Sequence, residues 1–175
     1  MVKANIIDNL MGIKHKFDQT ILREYDIRGI VNKSLTELDT YMLGYFFGII
    51  VKKKTKNKFP KIVISRDGRL SSHKLSKKLI EGLLLAGVNI IDIGLNSTPV
   101  LYFGNEYLNA DGAIQITGSH NPKNYNGFKM IVSNQSFFGQ DILKLGQLAE
   151  KGSNEYNSGK YNKIDIEDVY ISRVL

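Results

Sequence analysis

The fold is decided by the stretch Lys61–Ile93, KIVISRDGRLSSHKLSKKLIEGLLLAGVNIIDI. Short apolar runs at 61–65 and 88–93 have the length and composition of buried strands. Between them, apolar residues recur at helical spacing and Gly87 ends the pattern; they are Leu75, Leu79, Leu83 and Ala86. We expect Ser71 or Ser72 to cap this helix. A strand, a helix and a second strand in this order predict a parallel pair with a helical crossover.

The same alternation continues on both sides of this unit. Helices are predicted over 40–53, where Asp39 would be the cap, and over 99–108 and 140–151. Strands are predicted over 112–117 and 127–132, and the second is expected to be antiparallel because the loop before it is too short for a helical crossover. The pattern predicts an α/β fold, a three-layer α/β/α sandwich with a mixed, mostly parallel sheet.

The domain organisation follows from where this pattern begins and ends. Residues 1–20 are interpreted as a loosely structured lead, and 21–151 as the domain itself. Residues 152–163 are rich in Gly, Ser, Asn and Lys and are typical of a linker. A new element begins at Ile164 and the sequence stops at Leu175, so 152–175 are expected to be a linker and the start of a further domain.

The amino-acid composition limits the partners and the chemistry that this protein can have. The 175 residues have a formal net charge of +7, which suits anionic partners such as phosphorylated metabolites, nucleic acid or acidic membranes. Cysteine is absent, which excludes disulfides and thiolate chemistry. The longest apolar segment, 41–51, is about half of a membrane span, so we expect a soluble, cytoplasmic protein with no membrane partner. The lysines of 52–58 lack an aromatic stacking platform, which argues against nucleic acid.

Thr117–Pro122, TGSHNP, is the segment with the clearest chemistry. It follows a predicted buried strand, and ligands bind beyond the carboxyl ends of strands in such sheets. Ser119 could act there as a nucleophile or carry a phosphoryl group. Arg28 and Lys129 could neutralise phosphoryl oxygens. The alternative is a polar turn in which Ser119 only caps a helix, and spacing alone leaves both interpretations open.

A second polar turn follows the strand at 61–65. It contains Arg66, Asp67 and Arg69. We interpret these residues as a structural ion pair that supports the neighbouring site, rather than as groups that take part in catalysis.

Five ordered motifs resemble one family. They are Tyr25–Gly29 (YDIRG), Ser65–Ser71 (SRDGRLS), Ser97–Pro99 (STP), Thr117–Pro122 (TGSHNP) and Tyr125–Lys129 (YNGFK). Each motif is weak alone, but their order is similar to domain I of the α-D-phosphohexomutases, in the phosphomannomutase/phosphoglucomutase group. The resemblance covers about residues 21–175.

The resemblance implies a reversible phosphoryl transfer between positions 1 and 6 of a hexose phosphate, through a bisphosphate intermediate. Ser119 would carry the phosphate, and Mg²⁺ would bind one of its oxygens. Arg28 and Lys129 would lie beside the transferring group and either could transfer a proton. His120 would flank the phosphate, and Tyr25 would line the substrate cleft. Hexose 1,6-bisphosphate would be the activator, and the choice between mannose and glucose stays open.

The sequence also departs from the family pattern. Family members have four domains, and the Asp-x-Asp-x-Asp metal loop of the second is missing here; Asp165, Glu167 and Asp168 lack its glycines. The sugar-selecting and phosphate-anchoring loops are missing too. We therefore expect an incomplete mutase, inactive alone, which could act with a second chain carrying the missing domains. The alternative is a non-enzymatic remnant or anion-binding module that keeps the fold.

Overall fold

The computed structural model describes residues 12–175, which form a sheet with helices on both faces. The strands are β1 (Ile27–Ile30), β2 (Lys61–Arg66), β3 (Asn89–Leu95), β4 (Gly112–Ile116), β5 (Tyr125–Val132), β6 (Gln135–Ser136) and β7 (Tyr161–Lys163). The helices are α1 (Glu37–Thr55), α2 (Leu70–Leu85), α3 (Thr98–Tyr107), α4 (Gln140–Lys151) and α5 (Glu167–Val174), and a short 3₁₀ helix spans Gln19–Ile21.

The sheet is mixed, and its strand order is β1-β5-β4-β2-β3-β7, with β6 paired to β5. Strand β2 is parallel to β3 and β4, and β7 is parallel to β3. Strand β5 is antiparallel to β1, β4 and β6, so in the described part of the chain it alone runs against the other strands. The predicted mostly parallel sheet with an antiparallel strand after 112–117 is confirmed.

Apolar side chains pack on both faces of the sheet. Along β2, Ile62 and Ile64 belong to a large core with α1, α2 and α4, whereas Val63 belongs to a smaller core with α3. Successive side chains of a strand point to opposite faces, so a continuous apolar run supplies both cores. The three-layer α/β/α arrangement is therefore confirmed.

Two helix starts differ from the sequence prediction. Thr36, not Asp39, caps α1: its hydroxyl accepts a hydrogen bond from the Asp39 amide at 3.1 Å, and the Asp39 carboxylate accepts one from the Thr36 amide at 2.8 Å. Asp39 thus occupies the third helical position of a capping box. In α2 the cap position is Arg69, because the Ser72 hydroxyl donates instead to Asp67 at 2.5 Å.

The predicted lead is more tightly packed than expected. Ile13 and Phe17 are buried in the larger core, and the backbone of Ile13 pairs with that of Ser153. Two apolar side chains in a polar stretch give too weak a pattern to show this packing in the sequence. The part of the predicted lead before residue 12 lies outside the described residues.

The predicted linker contains a strand. Residues Tyr161–Lys163 form β7 and pair with Ile90–Asp92 of β3. All three residues of β7 are exposed, so no apolar alternation marks them in the sequence. Ile166, just before α5, is 2% exposed and belongs to the smaller core. Between residues 12 and 175, none of the helices is long and apolar enough to cross a membrane.

Helices α1 and α2 approach so closely that glycine is needed at their contact. A Cβ atom on Gly44 would meet the Leu79 carbonyl oxygen, and one on Gly82 would meet the Tyr41 carbonyl oxygen. The two glycines thus let each helix rest against the backbone of the other.

We predict that Gly82→Ala lowers the free energy of unfolding by about 2 kcal/mol, because the added methyl group must push the helices apart. The loss would occur although alanine has the higher helix propensity. Gly68→Ala is the control, since a Cβ there meets nothing within 4 Å, and its effect should stay below about 0.5 kcal/mol. Urea unfolding measures both. Equal stability of the two variants would contradict the close approach.

Candidate active site

One face of the sheet carries a row of polar side chains near the carboxyl ends of its strands. Ser65 of β2 pairs with Gln115 of β4, and Gln115 pairs with Lys129 of β5. These residues continue the face on which Val63 packs toward α3, because side chains two apart on a strand share a face. The α3 face therefore changes from apolar to polar at this edge.

The row supports the loop that leads into α3. The Ser65 hydroxyl donates to the Gly94 carbonyl at 3.2 Å, and the Gln115 amide nitrogen donates to the Asn96 carbonyl at 2.9 Å. Gln115 is 1% exposed, and its Oε1 has no partner among the described residues. Gln115 was not predicted as a site residue; its only signal in the sequence is that it is polar and lies inside an apolar strand.

Arg28 joins β1 to the segment 117–124 between β4 and β5, called the serine loop because it contains Ser119. Its guanidinium is buried, at 2% exposure, and donates to the Asp26 carboxylate at 2.5 Å and to the Thr117 carbonyl at 2.6 Å. The Lys129 ammonium lies 3.5 Å from the same Asp26 oxygen. The two predicted cations are thus brought together by a carboxylate that the prediction missed. Its signal is an acid two residues before Arg28, on the same face of an extended chain.

Ser119 lies in the loop 117–124 between β4 and β5. Its side chain is exposed, and its φ of 51° places it in the left-handed region. Its amide donates to the Thr117 hydroxyl at 2.8 Å, and its Oγ lies 3.3 Å from Nδ1 of His120. The loop leads into a strand, so Ser119 does not cap a helix and that alternative is wrong.

Asp67 connects the turn after β2 to the same loop. Its carboxylate accepts hydrogen bonds from the Gly118 amide at 2.9 Å and the Arg69 amide at 3.0 Å, and it lies 3.3 Å from Nε of Arg69. Burial alone would raise the pKa of Asp67, but hydrogen bonds from Ser72, the Arg69 and Gly118 amides and Thr117 together lower it below its ordinary value. Asp67 is therefore a carboxylate at neutral pH.

The predicted ion pair is confirmed for two of its three residues. Asp67 and Arg69 form it, with 3.3 Å between Oδ2 of Asp67 and Nε of Arg69. Arg66 makes no side-chain hydrogen bond or ion pair with any residue from 12 to 175.

Tyr25 stands apart from these contacts. Its side chain is 73% exposed, and nothing in the described part of the chain forms a hydrogen bond with its hydroxyl. Its expected place in a substrate cleft stays a prediction.

The described residues do not fit a complete Mg²⁺ site. No group of three or more histidine, aspartate or glutamate side chains between residues 12 and 175 is arranged to hold a metal ion. Asp26 and Asp67, the carboxylates that contact the loop or its cations, are engaged in ion pairs. Ser119 alone could offer oxygens to the ion, and only through a bound phosphate, whereas Mg²⁺ sites normally use one or two carboxylates.

The arrangement suits the handling of a phosphoryl group. An exposed hydroxyl lies at a strand end, a histidine nitrogen lies beside it, and the ammonium group of Lys129, which contacts Asp26, is one-third exposed. Such groups stabilise phosphoryl transfer mainly through position and charge.

Comparison with known proteins identifies relatives of this chain. Residues 19–155 match the family described as phosphoglucomutase/phosphomannomutase, alpha/beta/alpha domain I. The chain is 36% identical over 155 residues to a phosphomannomutase/phosphoglucomutase of Pseudomonas aeruginosa, covering 89% of this chain and 33% of that protein. It is 35% identical over 156 residues to a phosphoglucomutase of Neisseria meningitidis, covering 88% and 33%.

A solved structure gives the same result. A phosphoglucomutase/phosphomannomutase family protein of Burkholderia thailandensis superimposes with a TM-score of 0.82 at 36% identity, covering 90% of this chain and 36% of that one. The chain thus spans about a third of the length of the relatives that it matches.

We predict that Asp26→Ala lowers the free energy of unfolding by about 3 kcal/mol, because the buried Arg28 charge loses its partner. Adding Arg28→Met should return part of this loss, since no unpaired charge then remains. Urea unfolding of the two single variants and the double variant measures the coupling. An Asp26→Ala protein within about 0.5 kcal/mol of the parent would contradict the importance of the pair.

Proposed function

Because this chain belongs to the phosphoglucomutase/phosphomannomutase family, as its domain I, we propose that Ser119 carries the phosphoryl group in a reversible transfer between positions 1 and 6 of hexose phosphates. The observation that carries the proposal is the exposed Ser119 hydroxyl, 3.3 Å from His120, in a loop held at the carboxyl edge of the sheet. The family match makes this loop the first candidate for the phosphate carrier.

The reaction has two transfers. In the first, the bond between Ser119 Oγ and phosphorus breaks and Oγ gains a proton from an acid, while the free hydroxyl oxygen of a hexose monophosphate bonds to that phosphorus and gives its proton to a base. The product is a hexose bisphosphate. In the second, Ser119 Oγ attacks the other phosphoryl group and loses its proton, and the released sugar oxygen gains one. The serine is then phosphorylated again, and the phosphate of the sugar has changed position.

The neighbouring residues have different tasks in this proposal. Arginine keeps its proton in proteins, so Arg28 would supply charge and hold Thr117 rather than transfer a proton. Lys129 and His120 remain as the groups that could donate or accept a proton. Lys129 would also neutralise phosphoryl oxygens. Tyr25 would line the sugar cleft.

The remaining components follow from the family and are proposed with it. Mg²⁺ would bind an oxygen of the phosphorylated serine, and its carboxylate ligands would come from outside residues 12–175. Hexose 1,6-bisphosphate would be the activator, and a second chain with the missing domains would be the partner. A cytoplasmic location stays a prediction. The relatives are named for both sugars, so the choice between mannose and glucose is not assigned.

A second candidate function is an anion-binding module without turnover. The observation that favours it is that the two carboxylates at the site are held in ion pairs and the described residues offer no metal cluster. Such a module would bind phosphate at the loop but would never become phosphorylated. Covalent labelling of Ser119 therefore separates the two functions.

We predict that incubation with glucose 1,6-bisphosphate and the remaining domains of a family member transfers one phosphate to Ser119. Intact-mass measurement and peptide mapping locate the label. Ser119→Ala should abolish it. Ser133→Ala is a matched control, since Ser133 is also exposed and has the same φ of 51° but lies in the turn after β5. Phosphate on Ser71, Ser72 or Thr117 instead would overturn the assignment.

We predict no measurable mutase activity from the 175-residue chain alone. The described residues supply neither metal carboxylates nor an anchor for the second phosphate, so the substrate would lack the positioning that accelerates the transfer. A coupled assay with glucose 1-phosphate or mannose 1-phosphate, Mg²⁺ and the bisphosphate tests this. Robust turnover that Ser119→Ala abolishes would show that the chain needs no further domain.

A further inference from the structure

We propose that Arg69 is a positioning residue that fixes the conformation of the serine loop before any phosphate binds. The inference rests on the proposed function of Ser119 and adds to it the group that holds the phosphate carrier in place. Arg69 lies at the start of α2, outside the loop, and reaches it from the turn after β2.

The guanidinium of Arg69 binds the loop through backbone carbonyls alone. One terminal nitrogen donates to Pro122 at 2.7 Å and to Tyr125 at 3.1 Å. The other donates to Ser119 at 3.0 Å and to Asn121 at 2.7 Å. Four backbone carbonyls within seven residues thus accept hydrogen bonds from the one guanidinium group, so the loop surrounds the Arg69 side chain.

This bonding occupies both terminal nitrogens of Arg69, the atoms that would otherwise bind a ligand. A guanidinium has five N–H groups, and here four go to carbonyls while Nε lies 3.3 Å from Asp67. A cation beside a proposed phosphate site would ordinarily be assigned to the phosphate. The hydrogen bonds of Arg69 point instead to a role exerted through the backbone of Ser119.

Two features of the loop depend on this contact. Gly118 packs directly against the guanidinium, because a Cβ atom at that position would overlap it. Ser119 has a φ of 51°, a conformation that is uncommon for residues with side chains, so a constraint on its backbone favours it. The bond from Arg69 to the Ser119 carbonyl, together with the Asp67 bond to the Gly118 amide, supplies that constraint.

Trypsin gives a direct test in the full chain. Lys123 is exposed and lies between two of the carbonyls that Arg69 binds. Cleavage after Lys123 requires the loop to open, so its rate reports the open population. Arg69→Lys keeps the charge but has only three donors in no fixed plane, and we expect it to raise this rate about 10-fold or more. Arg66→Lys, on the same strand end but without side-chain bonds in the described residues, is the control and should change nothing.

A second variant and a second measurement exclude a merely structural effect. If Arg69→Lys lacks a cooperative thermal transition, Gly118→Ala replaces it, because the methyl group displaces the guanidinium while leaving Arg69 in the chain. In the labelling experiment with the remaining family domains, the variant should lower the maximal rate of Ser119 phosphorylation at least 10-fold. The bisphosphate concentration that gives half the maximal rate should stay the same, because Arg69 does not touch the donor.

The outcomes separate the inference from the proposed function. Unchanged cleavage after Lys123 in the folded variants overturns the role of Arg69, whatever Ser119 does. A lower apparent affinity for the bisphosphate at an unchanged maximal rate also overturns it, since Arg69 would then bind substrate. Faster cleavage without phosphate on Ser119 in the parent chain refutes the proposed function alone and leaves the loop constraint in place.

Discussion

The hydrogen bonding of β5 to strands on both of its sides is the constraint on which the candidate site depends. Strand β5 runs against β1 and β4 and joins the N-terminal strand to the parallel part of the sheet. Its register brings Arg28 beside Thr117 and Lys129 beside Gln115. A β-α-β crossover would have returned the chain at the far edge of the sheet. Because β5 is antiparallel to β4, both ends of the serine loop lie at the same edge of the sheet. The loop can therefore be short, and the neighbouring residues can contact it along its whole length.

Charge at this edge is mostly neutralised within the protein. Arg28 is paired with Asp26 and Arg69 with Asp67, and both arginines also bind backbone carbonyls of the loop or its start. Buried charges without partners would be costly, so these pairs let arginines lie inside the site. Lys129, which is one-third exposed, and the exposed side chains of His120 and Lys123 remain accessible to an anion. The number of arginines and lysines in the motifs is therefore larger than the positive charge that a ligand could contact.

The sequence was informative where a local pattern carried the structure. Apolar runs marked β2, β3 and β4, the short loop before β5 gave its direction, and the motifs singled out Ser119, His120, Arg28 and Lys129. Hydrogen bonds to the backbone could not be predicted, because every residue has a backbone carbonyl and the sequence does not mark which one accepts a bond. The carbonyls that accept from Arg28 and Arg69 are examples. Asp26 and Gln115 were missed since their roles need strand register. Thr36 was missed as the N-cap of α1 because Asp39 lies closer to the apolar residues of the helix and is also a residue type that caps helices.

The seventh strand extends the folded unit beyond residue 155, where the match to the domain I family model ends. The family match ends at residue 155, yet the sheet continues to Lys163 and the smaller core to Ile166. A chain cut after residue 155 would lose β7, and the backbone amides and carbonyls on that side of the apolar strand β3 would be left unpaired. Such an edge is a template for pairing between molecules. Three exposed residues, one of them a lysine, cover it and form an outer edge too short and too polar to recruit another chain. Strand β7, although short and exposed, thus protects this edge of the sheet from pairing with other molecules.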